Sequence, residues 1–272
     1  MTKLAIVTGA TNGIGKEIAR GLARSGMTVV IGARDLGRGA HTAKELGGTI
    51  EVLPLDVADQ RSIHAFADAY RARFPHLDLL VNNAGAWFSD RRESAQGHEL
   101  TFATNVLGPH LLTQLLVDSL RAARGARVVN VVSSIASGYD PTDLEYIRRK
   151  YDGFKVYAQS KQALRMLTSA QATRLGADRI TVNAAAPGFV RTGFNRNAHG
   201  FRAAMIGAMA KLFAVRADKG AATPLWVATA PELDGVTGKY FDGLAEKDAK
   251  FRDAAANLEL DRLCSAMMGV GA

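Results

Sequence analysis

The chain opens on a short apolar run, Lys3 to Val7, followed at once by Thr8-Gly9-Ala10-Thr11-Asn12-Gly13-Ile14-Gly15. Beyond it Ile18, Ala19, Leu22 and Ala23 recur at helical spacing. A strand that enters a helix through so glycine-rich a turn restricts the fold more than any other feature. The turn lets backbone N–H groups approach a pyrophosphate, and a helix N-terminus favours negative charge. Gly9 suits the tight turn, while Gly13 and Gly15 leave room for phosphate or neighbouring backbone. The spacing G-x-x-x-G-x-G is not the commoner G-x-G-x-x-G, so a plain glycine-rich loop is the competing reading.

Strand and helix signals alternate along the rest of the chain. Strands are predicted at 28–32, 49–53, 77–81, 127–132 and 180–184, with a last short one near 239–241. Helices are predicted over 60–74, 99–121 and 157–175. This order predicts an α/β fold: a single-domain Rossmann-type doubly wound parallel sheet of about seven strands. One domain spans the chain, with an irregular tail after about Gly243. In open parallel sheets ligands bind beyond the carboxyl ends of the strands. Asn83, Ser134 and Pro187-Gly188 are therefore expected on the same edge as the glycine turn. The second strand ends in Gly32-Ala33-Arg34, with no carboxylate at its tip. A carboxylate there would suit a free ribose 2′-OH; the arginine suits a 2′-phosphate. NADP(H) is therefore the expected cofactor, and Asp35 reads as a turn residue or helix cap.

Within the predicted helix 157–175, Tyr157 and Lys161 stand four residues apart and share a face. A phenol with a pKa near ~10 is a poor proton donor and acceptor at neutral pH, and a neighbouring ammonium favours its phenolate. Composition narrows the alternatives. The net charge of +8 is spread along the chain and mixed with acids, which predicts a solvated surface rather than a nucleic-acid site. No apolar run approaches the ~20 residues of a membrane span, and no signal-peptide pattern is present. The single cysteine, Cys264, excludes an intramolecular disulfide and fits a reducing, cytoplasmic setting. The histidines show no ligand spacing, so no metal is expected.

Taken together, the glycine-rich turn, Asn82-Asn83-Ala84-Gly85, Ser133-Ser134, Tyr157-Ala158-Gln159-Ser160-Lys161 and Pro187-Gly188 resemble the motifs of the short-chain dehydrogenase/reductase family, over roughly Lys3 to Phe241. Asn105-Val106-Leu107-Gly108-Pro109-His110-Leu111-Leu112-Thr113, Gly220-Ala221-Ala222-Thr223-Pro224-Leu225 and Gly238-Lys239-Tyr240-Phe241 make it most similar to the retinol-dehydrogenase-like reductases, with Pro109 as a departure. The resemblance implies that Tyr157 is the catalytic acid/base, assisted by Lys161, by Ser134 on the substrate oxygen and by Asn105, which organises a proton-relay water. It implies cofactor contacts from Thr8, Gly9, Thr11, Asn12, Gly13, Ile14, Gly15, Arg34, Asp56, Val57, Asn83, Ala84, Gly85, Tyr157, Lys161, Pro187, Gly188, Val190 and Thr192. Ser133 is expected on the other face if the strand continues. Asp56 could equally be a turn residue.

The expected activity is NADPH-dependent reduction of a ketone or aldehyde, or the reverse. Reduction of an activated C=C bond and a non-catalytic NADPH-binding sensor are the alternatives. Trp87 and Phe189, with Ser134 and Tyr157, are expected to meet the substrate. Phe88, Phe154, Phe194, Phe201 and Phe213 extend an apolar lining suited to a bulky small molecule. Segments 139–154 and 201–213 could act as lids. A homodimer or homotetramer could form through the long helices, where Leu111, Leu112, Leu115 and Leu116 serve either an interface or the core, and His110 reads as structural or partner-facing.

Overall fold

The computed structural model describes residues 2–187, 216–251 and 253–271. Gly188, Phe189, Val190, Thr192 and the predicted 201–213 segment lie outside the described residues.

The first strand, β1 (Leu4–Thr8), turns into helix α1 (Gly13–Arg24), and the alternation continues through β2 (Thr28–Ala33), α2 (Leu36–Leu46), β3 (Ile50–Pro54), α3 (Gln60–Arg73) and β4 (Leu79–Asn82). A broken helical stretch follows: α4 (Leu100–Phe102), a π-helical segment Ala103–Leu107, α5 (Gly108–Leu115) and α6 (Val117–Ala122). Then come β5 (Arg127–Val131), α7 (Gly153–Leu175), β6 (Thr181–Ala186), α8 (Ala217–Thr229), β7 (Tyr240–Asp242), β8 (Ala245–Lys247) and α9 (Ala254–Met268). Among the described residues the strands form one 8-stranded sheet in the order β3-β2-β1-β4-β5-β6-β7-β8. All pairings are parallel except β7 with β8. Strand order reverses between β1 and β4, the place where such a sheet opens a crevice at its carboxyl edge.

Side-chain alternation explains the two helical layers. Ile6, Val30, Leu80, Val128 and Val182 face one core with residues of α3, α5, α7 and α9. Ala5, Val7, Val29, Ile31, Val81, Val129 and Val131 face the other, with residues of α1 and α8. Strands covered on both faces read as continuous apolar runs, and that made them visible in the sequence. The sheet interior also carries a buried amide chain. Asn82 Nδ2 donates to Asn130 Oδ1 (2.9 Å) and Thr113 Oγ1 (3.2 Å), and Asn130 Nδ2 donates to Thr168 Oγ1 (3.0 Å).

Two expectations need correction. The helix predicted over 99–121 is interrupted by the π-helical segment and again at Leu116. The tail after Gly243 is not irregular: it adds β8 and the 15-residue helix α9, which Asp253 caps through the Ala256 N–H. Segment 139–154 is bonded within itself and, through Glu145 and Tyr151, to Glu99. Asp143 accepts from the Ile147 N–H (2.8 Å) and pairs with Arg149 (3.0 Å), Glu145 accepts from the Glu99 N–H (2.9 Å), and Tyr151 donates to Glu99 Oε1 (3.0 Å).

The leucines of α5 belong to the core. Leu111, Leu112 and Leu116 are fully buried, and α9 of the same chain packs on both α5 and α7. His110 is buried there too, with Nε2 3.0 Å from Ser265 Oγ and Nδ1 3.5 Å from Asp261. Burial, reinforced by the Arg174 charge, pulls its pKa down to about 3. Between that value and the unfolded value near ~6.5 the unfolded chain binds the extra proton, so this contribution to stability is intact above ~6.5 and declines as pH falls. Wild type should therefore lose about 1 kcal/mol more stability between pH 7.5 and 5.5 than His110→Gln. Urea unfolding at the two pH values checks this, and equal losses would remove His110 as the cause.

Candidate active site

The carboxyl edge of the sheet opens into a cleft of about 660 Å³. Gly9, Thr11, Asn12, Gly13, Ile14 and Gly15 form one wall, and Arg34, Asp56, Val57, Asn83, Ala84, Gly85, Tyr157, Lys161 and Pro187 complete it. Residues from β1 to β6 thus converge, as the topology required. Arg38, Phe88, Leu100 and Thr104 also line it and were not anticipated as cofactor contacts from the sequence.

The glycine turn is held by Asn83 and by Thr8. Thr8, buried at the end of β1, accepts the Asn83 and Ala84 N–H groups (3.0 and 2.9 Å). It is therefore absent from the cleft lining; its hydroxyl fastens the floor from behind. Asn83 Nδ2 donates to the Thr8 carbonyl (2.8 Å). A Cβ on Gly15 would lie 2.3 Å from that nitrogen, so this glycine is required by the asparagine as much as by any ligand. Gly13 has φ of +57° and begins α1, whose N-cap Asn12 makes no side-chain cap and whose first turn has no acid. The first N–H groups of α1 are thus left for an anion in the cleft.

The far end of the cleft carries Arg34 and Arg38. Arg34 is exposed and forms no ion pair among the described residues. Asp35 is not available to a ribose: it caps α2, accepting from the Arg38 N–H (3.0 Å). Asp56 behaves as a turn residue as well, accepting from Ala58 N–H (3.0 Å), although it borders the cleft. N–H donors at the helix N-terminus and two guanidinium groups at the far end fit a dinucleotide with anionic groups at two separate points.

At the other end, Tyr157 lies in the second turn of α7, which begins four residues earlier than expected. Its ring is buried against Trp87, with Ile135 and Phe154 beside them. Trp87 is therefore a wall behind the phenol and does not line the cleft itself. The serine hydrogen-bonded to the phenol is Ser133, and Ser134 is exposed. The expectation for Ser134 is corrected here. β5 ends at Val131, so strand alternation no longer governs the serine pair. Burial pushes the Tyr157 phenol up to about 12, opposed by the Ser133 hydroxyl. Lys161 donates to the Val131 carbonyl (3.0 Å) rather than to the phenol, and burial brings it down to about 8. Desolvation therefore outweighs the Ser133 hydroxyl, and the phenol is raised rather than lowered, contrary to the expectation from the Tyr157–Lys161 spacing.

Asn105 is fully buried in the π-helical segment. Its carboxamide accepts from the Ala86 N–H (2.8 Å) and donates to the Ala86 carbonyl and to Ser160 Oγ (both 2.9 Å). The side chain thus fastens the 83–86 loop to α7. A Cβ on Gly85 would lie 3.4 Å from both Asn105 Oδ1 and Lys161 Nζ, which places loop, amide and amine at one point. Among the described residues there is no group of His, Cys, Asp and Glu side chains able to hold a metal ion.

An open, mainly parallel sheet with a glycine turn at one end of a cleft, a tyrosine and a lysine at the other and a serine beside the phenol, defines a dinucleotide-dependent oxidoreductase. The short chain dehydrogenase family model matches residues 3–202, and the chain belongs to that family, whose members use a nicotinamide cofactor. It is similar to the retinol-dehydrogenase group within it. Human retinol dehydrogenase 13 is 36% identical over 256 residues, covering 90% of this chain and 77% of the relative. Polyprenol dehydrogenase from Mus musculus is 39% identical over 259 residues, with the same coverage of 90% and 77%. A gluconate 5-dehydrogenase from Burkholderia cenocepacia, solved with NADP and tartrate, superposes with a TM-score of 0.70 at 25% identity, covering 89% of this chain and 94% of that one. Among the described residues no helix is long and apolar enough to cross a membrane.

Proposed function

We propose that the protein is an NADPH-dependent reductase of a bulky, apolar ketone or aldehyde, with Tyr157 as the proton donor. The observation that carries the reading is the buried phenol of Tyr157 lining the cleft together with Lys161, four residues on along α7, at the end opposite Arg34. When bound, the cofactor supplies hydride to the carbonyl carbon. Negative charge then builds on the carbonyl oxygen, where the Ser133 and Tyr157 hydroxyls donate and the phenol hands over its proton. Lys161 anchors the β5 end and keeps a positive charge beside the phenol below about pH 8. Arg34 and Arg38 would receive a 2′-phosphate, and the α1 N-terminus the pyrophosphate. NADP in the Burkholderia structure and the polyisoprenoid alcohols named for the mammalian relatives support the cofactor and substrate class. The buried Cys264 suits a reducing compartment such as the cytoplasm.

Loss of NADPH absorbance with a panel of retinal, long-chain isoprenoid aldehydes, aromatic ketones and enones tests this. Turnover is expected with the aldehydes and ketones. Product analysis showing only C=C reduction would replace the carbonyl reading, and NADPH binding without turnover on any acceptor would favour the sensor.

A further inference from the structure

A buried cation outside the cleft touches this machinery from behind. Arg165 follows Lys161 by one turn of α7 and Tyr157 by two. It is 7% exposed. Its Nη2 donates to the Ser133 carbonyl at 2.6 Å. The guanidinium stacks on Tyr240 of β7 at 3.6 Å from the ring centroid, with the Phe251 ring at 5.9 Å. It does not line the cleft, and the chemistry proposed above gives it no part.

Its location meets a specific need. The last ladder bond beside β5 is from the Val132 N–H to the Ala185 carbonyl (3.0 Å). Beyond it, strand geometry no longer decides which of two consecutive serines faces the phenol. Helix α7 reaches back to this strand end twice, through Lys161 to the Val131 carbonyl (3.0 Å) and through Arg165 to that of Ser133. The second carbonyl belongs to the peptide joining Ser133 to Ser134, so clamping it restricts the torsions on both sides. A charge-assisted bond from a desolvated, ring-stacked guanidinium is among the stronger clamps available. The Ile135 N–H, donating to Ser133 Oγ (3.1 Å), closes the turn through the side chain. The same helix thus supplies the phenol, the amine and the clamp that brings the serine to them.

We propose that Arg165 is a positioning residue: its hold on the Ser133 carbonyl selects the first serine of the pair as the partner of Tyr157. This rests on the reading of Tyr157 as the proton donor, but the clamp can be judged separately. In crystal structures of the wild type and Arg165→Met, the Ser133 hydroxyl should move out of hydrogen-bonding range of the phenol in the variant. Retention of that bond overturns the proposal whatever the activity. The kinetic arm uses NADPH and retinal with the wild type, Arg165→Met, Arg165→Lys, Ser133→Ala, Tyr157→Phe and the Ser133→Ala/Arg165→Met double variant.

Each of Ser133→Ala and Arg165→Met should lower turnover about a hundredfold, with NADPH affinity within about twofold of wild type. The double variant should be no worse than about twofold below Ser133→Ala alone, because the clamp acts through that hydroxyl. Arg165→Lys keeps a cation near the carbonyl and should recover to within about tenfold of wild type. Losses that multiply in the double variant would mean that Arg165 only supports packing against Tyr240. If instead Tyr157→Phe keeps wild-type turnover, the catalytic reading fails, and the crystallographic distance alone decides the clamp.

Discussion

Tyr157→Phe should lower carbonyl reduction at least about a hundredfold while NADPH still binds, because the substitution removes only the proposed proton donor. The ring stays packed on Trp87, and no cleft-lining donor near the glycine turn or Arg34 changes. Fluorescence titration of NADPH and steady-state turnover on retinal separate the two effects. A variant with near-native turnover would remove Tyr157 from the mechanism. The wild-type pH profile adds an independent check. The phenol keeps its proton until about 12, whereas Lys161 loses its charge near about 8. Reduction should therefore decline above about pH 8 from loss of the ammonium, with the acid still in place. A profile flat to pH 10 would show that the Lys161 charge contributes nothing to the step.

Arg34→Ala should raise the dissociation constant for NADPH about tenfold and leave that for NADH within about twofold, if Arg34 receives the 2′-phosphate as proposed. The two cofactors differ by the 2′-phosphate, so a selective loss localises the interaction. Arg38 borders the same end of the cleft, and Arg34→Ala/Arg38→Ala should weaken NADPH further, again sparing NADH. Both guanidinium groups are solvent-exposed, so screening tempers the effect, and the preference should narrow as salt is raised. Equal losses for the two cofactors would count against a 2′-phosphate site here.

Particular residues show where the sequence sufficed. The apolar runs at 4–7, 29–31 and 79–81 announced strands buried on both faces, since such strands have no solvated side to mark with polar residues. The glycine turn and Asn83 were legible because the chain there leaves the ladder at the strand ends. Arg38 gave no such signal: Arg34 lies before the N-cap Asp35, outside α2, so helical spacing does not relate the two side chains, and only the fold brings both to one end of the cleft. The interruption of the 99–121 helix had a signal in Pro109, which has no N–H to give the Asn105 carbonyl four residues earlier. Helix α9 was hidden by a low amphipathic contrast, its apolar side being narrow and its polar residues partly buried against α5 and α7.

The serine pair and the phenol mark the boundary most sharply. From the sequence alone came the parallel sheet, the dinucleotide turn, the arginine in place of a carboxylate and the Tyr157–Lys161 pairing, all of which rest on local periodicity and short spacing. Only the tertiary structure decided that Ser133 rather than Ser134 meets the phenol, that Lys161 holds a strand carbonyl, and that burial keeps Tyr157 protonated. The reason is physical: side-chain direction past a strand end, and the desolvation that sets a pKa, are properties of the surroundings that assemble around a residue, and neighbours in sequence do not encode them.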